Sequence, residues 1–264
     1  MCGVAGRSCG ARTGTPSGTM GKENVTAFRL RTAALVESKA ALSALPEGKL
    51  LINTINAYSY NTALRDPLFA AALSGGGALI PDGESIVRAC RWIGARSRPK
   101  ERIAGWDLFV MEMERLNARG GTCLFLGSSE DVLSLIRSRA SSVYPHIRVV
   151  TYSPPYKSVF SESDSRAMVS AINDSHPDLV WIGMTAPKQE KWVYSHWAEL
   201  DIRCHVGTIG AVFNFFAGTE KRAPVWWQRH GIEWLYRLVH DPRRLWKRYV
   251  VGNVVFLYNI ITKG

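Results

Sequence analysis

The chain has 264 residues, 46% apolar and 21% charged, with a formal net charge of +11 at pH 7. That length and apolar content exclude a disordered chain and suffice for one large domain, or one domain with an appendage. The charge excess points to a polyanionic partner: nucleic acid, an anionic membrane face or phosphate-bearing substrates.

Residues 1–22, "MCGVAGRSCGARTGTPSGTMGK", are rich in Gly, Ser and Thr and hold no apolar run of the secretory type, so a flexible leader is expected there. The first strand is expected in "KLLINTIN" (49–56), followed by a helix over 59–74 with Pro67 opening a new first turn. "GALIPDG" (77–83) reads as a short strand ending in a turn. "ESIVRACRWIGA" has helical apolar spacing at Ile86, Val87, Cys90 and Ile93. "DLFVMEMERLNARGG" is a helix whose end Gly120-Gly121 marks.

Alternation then becomes regular: "TCLFLGSS" strand, "EDVLSLIRSRASSVYP" helix, "IRVVTYSPP" strand, "SESDSRAMVSAINDSHP" helix. It continues with "DLVWIGM" strand, "KQEKWVYSHWAEL" helix, and "IRCHVGTIGAVF" as the last strand. Near-continuous apolar strands between amphipathic helices imply an α/β fold, a mostly parallel sheet with helices on both faces.

Composition changes near residue 219. From Glu220 to Gly264 there are nine Lys/Arg against three acids, a net of +6, interleaved with Trp226, Trp227, Trp234, Tyr236, Trp246 and Tyr249. The expected organisation is a leader (1–22), an α/β catalytic domain (23–219) and a basic, aromatic-rich helical appendage (220–264). Arg237, Arg244 and Arg248 are spaced roughly along one helical face. Basic and aromatic side chains together suit an anionic bilayer surface. The longest apolar stretch, "YVVGNVVFLYNII" (249–261), falls short of the roughly 20 residues a spanning helix needs.

Ligands of an open α/β sheet collect at the carboxyl ends of the strands. Four such ends carry polar or Gly-rich sequence: "NTIN" (53–56), "PDG" (81–83), "LGSSED" (126–131) and "GMTAPKQE" (183–190). Asp82 is the only acid of the first two, either a turn residue or a general base at the mouth of the sheet. Thr54 and Asn56 alternate along one strand end and point to the same side. "LGSSED" suits either a phosphate at a helix N-terminus or ordinary capping. Dinucleotide and phosphate-loop glycine patterns are absent, as are D-x-D and His/Cys metal spacings. The five cysteines, Cys2, Cys9, Cys90, Cys123 and Cys204, form no C-x-x-C pair and fit a reducing compartment. A diphosphate here would be met by Arg, Lys and backbone amides, without a metal or cofactor.

The ordered blocks "INTIN", "IPDGESIV", "RIAGWDLF", "LFLGSS", "YSPPYKSVFS", "PDLVWIGMTAPKQEKW", "GTIGAVFNFFAG" and "KRAPVWWQRHGIEWLYRLVHDPRRLWKRY" resemble the WecG/TagA/CpsF glycosyltransferase family over residues 28–258. The resemblance implies a Rossmann-like, inverting, metal-independent transferase at the cytoplasmic membrane face. Its implied reaction moves a sugar of the N-acetylmannosamine type from a UDP donor to a polyprenyl-diphosphate-linked sugar, in cell-surface polysaccharide synthesis. Carried over by motif, the base falls on Asp82, and Thr54, Asn56, Arg102 and Gln189 become substrate contacts. The basic block contributes Arg222, Arg237, Arg243, Arg244 and Arg248. Asn214 stands where the family pattern leads one to expect Asp, which throws acid/base work onto Asp82. The rivals are a β-glucosyltransferase using UDP-glucose on lipid-linked glucose, and a basic nucleic-acid-binding or nucleotide-binding protein. Self-association is left open.

Overall fold

Six of the apolar runs form one sheet in which every neighbouring pair is parallel. The computed structural model describes residues 28–263, apart from the side chains of Gln228, Arg229 and Arg244. The leader, with Cys2 and Cys9, and the Arg244 side chain therefore lie outside the described residues.

The first half holds α1 (Lys39–Ser43), β1 (Leu50–Ile55), α2 (Ala57–Ala63), α3 (Pro67–Ser74), β2 (Ala78–Pro81), α4 (Glu84–Trp92) and α5 (Gly105–Arg119). The second runs β3 (Gly121–Gly127), α6 (Glu130–Val143), β4 (Ile147–Tyr152), α7 (Glu162–Ser175), β5 (Leu179–Gly183), α8 (Lys188–His196) and β6 (His205–Thr208). A series of helical pieces closes the chain: α9 (Val212–Ala217), α10 (Val225–Arg229), α11 (Glu233–His240), α12 (Pro242–Trp246), a π-helical turn (Lys247–Val251) and α13 (Gly252–Lys263).

Strand order is β2-β1-β6-β5-β3-β4. Alternate strand residues feed opposite faces: Ile52, Ile80, Phe125 and Trp181 pack on one side, and Leu51, Leu124, Val180 and Val206 on the other. Helices cover both faces, as the alternation of strands and helices requires.

Two boundaries differ from the sequence reading. The helix expected over 59–74 is two, because Asp66 caps Phe69 N–H with its side chain and Pro67 begins α3. The last strand stops at Thr208 instead of Phe213: Gly210, at φ +38°, turns the chain, and "VFNFFA" forms α9. The aromatic run of α9 is apolar because it is buried as a helix; Phe213 packs against Phe125, and burial alone does not distinguish the two periods in so short a run.

The basic tail folds back onto the α/β body. Phe256 and Ile260 of α13 are buried in a cluster with Tyr60, Phe69 and Ile86. Phe256 meets Tyr60 edge-on at 5.5 Å. Asn61 of α2 donates to the carbonyl of Gly252 at 2.8 Å and accepts from Asn259 at 3.0 Å. The arginine spacing does not trace one helical face, since α11 ends before Asp241 and Pro242 opens a new helix. Among the described residues no helix is long and apolar enough to cross a membrane.

Candidate active site

Three adjacent strands, β2, β1 and β6, end beneath a cavity of about 700 Å³ whose other walls are α2, α4, the start of α5, α9 and the tail. Thr54 and Asn56 at the end of β1, Asp82 after β2, and Ile209 and Ala211 after β6 form its base. Arg102, Arg222, Arg237 and Arg248 line the same space.

Local structure explains each placement. The Asp82 N–H donates to the carbonyl of Ile55 at 2.8 Å, extending the β1–β2 pairing by one residue and holding the carboxylate over the strand ends. Asn56 caps α2, its Oδ1 accepting from Ser59 N–H at 3.1 Å, while its other surface faces the cavity. Asp107 accepts from Ala104 N–H at 2.9 Å and so fixes the start of α5 beside Arg102.

Arg102 joins two acids. Its Nε lies 3.7 Å from Asp82 Oδ1, and its Nη2 donates to Glu233 Oε2 at 2.8 Å. Burial pushes the Asp82 carboxyl above its ordinary range, Arg102 pulls it back, and Glu233 adds to the upward push. The Asp82 side chain is still 31% exposed, because what it faces is the concave cavity and not bulk solvent. On Arg102, burial works against the charge, but Asp82 and Glu233 outweigh it and raise the guanidinium further.

The tail arginines sit on aromatic rings of the body. The Cζ of Arg222 is 5.1 Å from the ring centre of Trp106, that of Arg237 is 5.6 Å from Phe215, and that of Arg248 is 4.5 Å from Tyr58. A ring holds a guanidinium by its flat face, a geometry that suits the N–H edge to a phosphate. Arg248 lies within the π-helical turn, an irregularity frequent at functional sites. Gly231, at φ +69°, turns the chain directly over Glu84, where another residue would be strained.

The structure brings together Thr54, Asn56, Asp82, Arg102, Arg222, Arg237 and Arg248. It does not bring in Gln189 or Arg243. Gln189 is 4% exposed; its Oε1 accepts from Met184 N–H at 3.1 Å and its Nε2 donates to Glu190 Oε1 at 2.9 Å. It buttresses the turn after β5, one strand beyond the three under the cavity. Arg243 is exposed on α12. "LGSSED" also lies away: Ser129 caps α6 through Val132 N–H, which is the ordinary capping alternative. Asn214 donates to Glu220 at 3.2 Å, outside the cavity lining. Sequence reasoning missed Tyr58, Trp106 and Phe215 as arginine platforms and Glu233 as the partner of Arg102. An aromatic next to a strand end or a helix start was the only available signal.

Three carboxylates, Asp82, Glu84 and Glu233, and five arginines around a sheet-end cavity make it the candidate site, with a lining suited to an anionic ligand. A profile of the glycosyl transferase WecG/TagA/CpsF family matches residues 24–264. The chain belongs to that family and is a glycosyltransferase. It is 31% identical over 198 residues to the N-acetylglucosaminyldiphosphoundecaprenol N-acetyl-beta-D-mannosaminyltransferase of Bacillus subtilis (strain 168), covering 75% of this chain and 74% of the relative. The enzyme of the same name from Bacillus spizizenii is also 31% identical, over 187 residues, covering 70% of this chain and 69% of that one.

Proposed function

We propose that the protein transfers a sugar of the N-acetylmannosamine type, with inversion, from a UDP-sugar to a polyprenyl-diphosphate-linked sugar. The observation that carries this reading is the Asp82 carboxylate at the strand ends, with three aromatic-backed arginines, Arg222, Arg237 and Arg248, on the walls of the same cavity. The acceptor class follows that in the relatives' names.

In this mechanism Asp82 takes the proton of the acceptor hydroxyl as its oxygen bonds to the anomeric carbon and the bond to UDP breaks on the opposite face. A carboxylate made more basic by burial suits that step, and positioned proton transfer is worth about 10²- to 10⁴-fold. Arg102 holds Asp82 in place, Thr54 and Asn56 orient the sugars, and the tail arginines between them neutralise the diphosphates of donor and acceptor in place of a metal. The exposed apolar side chains of α13 and the turn before it, among them Val251, Val254, Tyr258 and Ile261, rest on the inner face of the cell membrane, with the basic residues beside them at the anionic headgroups.

The test is a panel of UDP-sugars with a short-chain lipid-diphosphate-linked acceptor, read by UDP release with and without EDTA. UDP release from UDP-N-acetylmannosamine that requires the acceptor and survives EDTA is the expected result. Preference for UDP-glucose with lipid-linked glucose would replace it by a glucosyltransferase, and release abolished by EDTA would overturn metal independence.

A further inference from the structure

Two helices, α4 and α13, line the cavity beside the candidate base, and along each the lining residues change from polar to apolar in chain order. On α4 the lining residues are Glu84, Ser85, Arg88, Ala89 and Trp92, one helical face that starts beside Asp82 and ends on an indole. Along the tail they are Arg248, Tyr249, Asn253, Phe256, Leu257 and Ile260, again one face, starting on a guanidinium and ending on aliphatics. From Glu84 to Trp92 the groove is about 12 Å long at the helical rise. Phe256 and Ile260 form a buried floor.

The outer end is unusual. Trp92 is 64% exposed and Leu257 54% exposed, although both belong to the cavity lining. A large indole exposed at the rim of an apolar groove, with arginine at the other end, matches a ligand that is anionic at its head and hydrocarbon beyond it. Neither a nucleotide nor a sugar has an apolar end to place there.

We propose that the groove between α4 and α13 binds the first isoprene units of the acceptor's lipid, with its diphosphate at Arg248 and the rest of the chain leaving between Trp92 and Leu257. The groove serves the acceptor of the reading above and so rests on it, yet binding can be measured without any transfer. It makes the lipid part of what the site recognises, separate from the membrane on which the outer surface of α13 lies.

The test is calorimetry on the full chain in membrane-free buffer, below micelle-forming concentrations, with inorganic diphosphate, geranyl diphosphate and farnesyl diphosphate. Affinity is expected to rise with chain length, by about tenfold or more from inorganic to farnesyl diphosphate, as methylenes leave water. Trp92→Ser and Leu257→Ser, both at exposed positions, are expected to remove most of that gain at unchanged melting temperature. Val254→Ser, on α13 but outside the groove, is expected to keep it. Equal affinity for the three ligands overturns the groove, as does a loss in Val254→Ser equal to that in Leu257→Ser. Failure of every UDP-sugar to react would refute the transferase reading instead and leave this length dependence to be read separately.

Discussion

The Nη2 of Arg102 lies 2.8 Å from Oε2 of Glu233, and the same guanidinium approaches Asp82 at 3.7 Å through Nε. One side chain from the loop before α5 thus ties the C-terminal tail to the candidate base. The tail is part of the site because of this pairing as much as because of its own arginines.

Removing Arg102 leaves Glu233 and Asp82 facing each other without the intervening cation, at 14% and 31% side-chain exposure. Arg102→Met is expected to lower stability by about 3 kcal/mol, the usual cost of breaking a buried pair from one side. Urea denaturation checks this. Glu233→Gln should fall between the wild type and Arg102→Met, since it keeps a hydrogen-bond acceptor for Nη2.

Asp82→Asn should reduce kcat at least about 10²-fold if Asp82 is the base. The fold should be retained without loss of melting temperature at neutral pH. A carboxyl whose folded pKa is raised binds its proton more tightly folded than unfolded, so it contributes stability at low pH that is lost as pH rises from its unfolded value through its folded one. The amide cannot ionise and escapes that loss. In the wild type, kcat/KM should climb with pH as Asp82 deprotonates, and an active Asp82→Asn enzyme would sink the assignment.

Arg248→Lys keeps the charge but loses the flat group that lies 4.5 Å from the Tyr58 ring. A flexible ammonium there should raise KM for the diphosphate substrate about tenfold, with a smaller change in kcat. Steady-state kinetics against Arg248→Ala, which should be worse in KM, separates geometry from charge.

Glu190, outside the cavity lining, gives a pH-dependent stability. It is 1% exposed, burial pushes its carboxyl up to about 7, and the Gln189 amide only partly offsets this. With the folded value above the unfolded one, stability is full below about 4.5 and is lost as pH rises through about 7. Glu190→Gln should match the wild type below about pH 4.5 and exceed it above neutrality, by on the order of 3 kcal/mol. Melting temperatures of both across that window decide it.

Phe256 is 3% exposed and packs edge-on against Tyr60. Phe256→Ala should weaken the seat of α13 by about 3 kcal/mol, or by less if the tail detaches before the body unfolds. Limited proteolysis should then cleave within the tail first, and turnover should fall with the released fraction. Cleavage that begins in the α/β body would contradict this docking.

The residues at the strand ends are legible in the amino-acid pattern because parallel strands follow near-continuous apolar runs, and what interrupts such a run is either a turn or a ligand contact. Thr54, Asn56 and Asp82 stand out that way. Gln189 is singled out by the same logic and yet sits behind the wall, buried against Met184 and Glu190, because strand order is invisible in a linear pattern. Its strand, β5, is fourth along the sheet from β2, and the cavity lies over the first three. Arg222, Arg237 and Arg248 are recognisable as a basic block, but the rings under Arg222 and Arg248, Trp106 and Tyr58, come from the first half of the chain.

By itself the sequence determined the α/β class and the parallel sheet and singled out the polar residues of the candidate site, since periodicity, turn residues and charge are local properties. The tertiary structure decided which strand ends share a cavity and that the basic tail closes over them, using α13 to fill a core around Tyr60. It also decided which arginines face inward. Those outcomes depend on long-range packing, in which the burial of Phe256 and Ile260 and the Arg102–Glu233 pair select one arrangement of the tail.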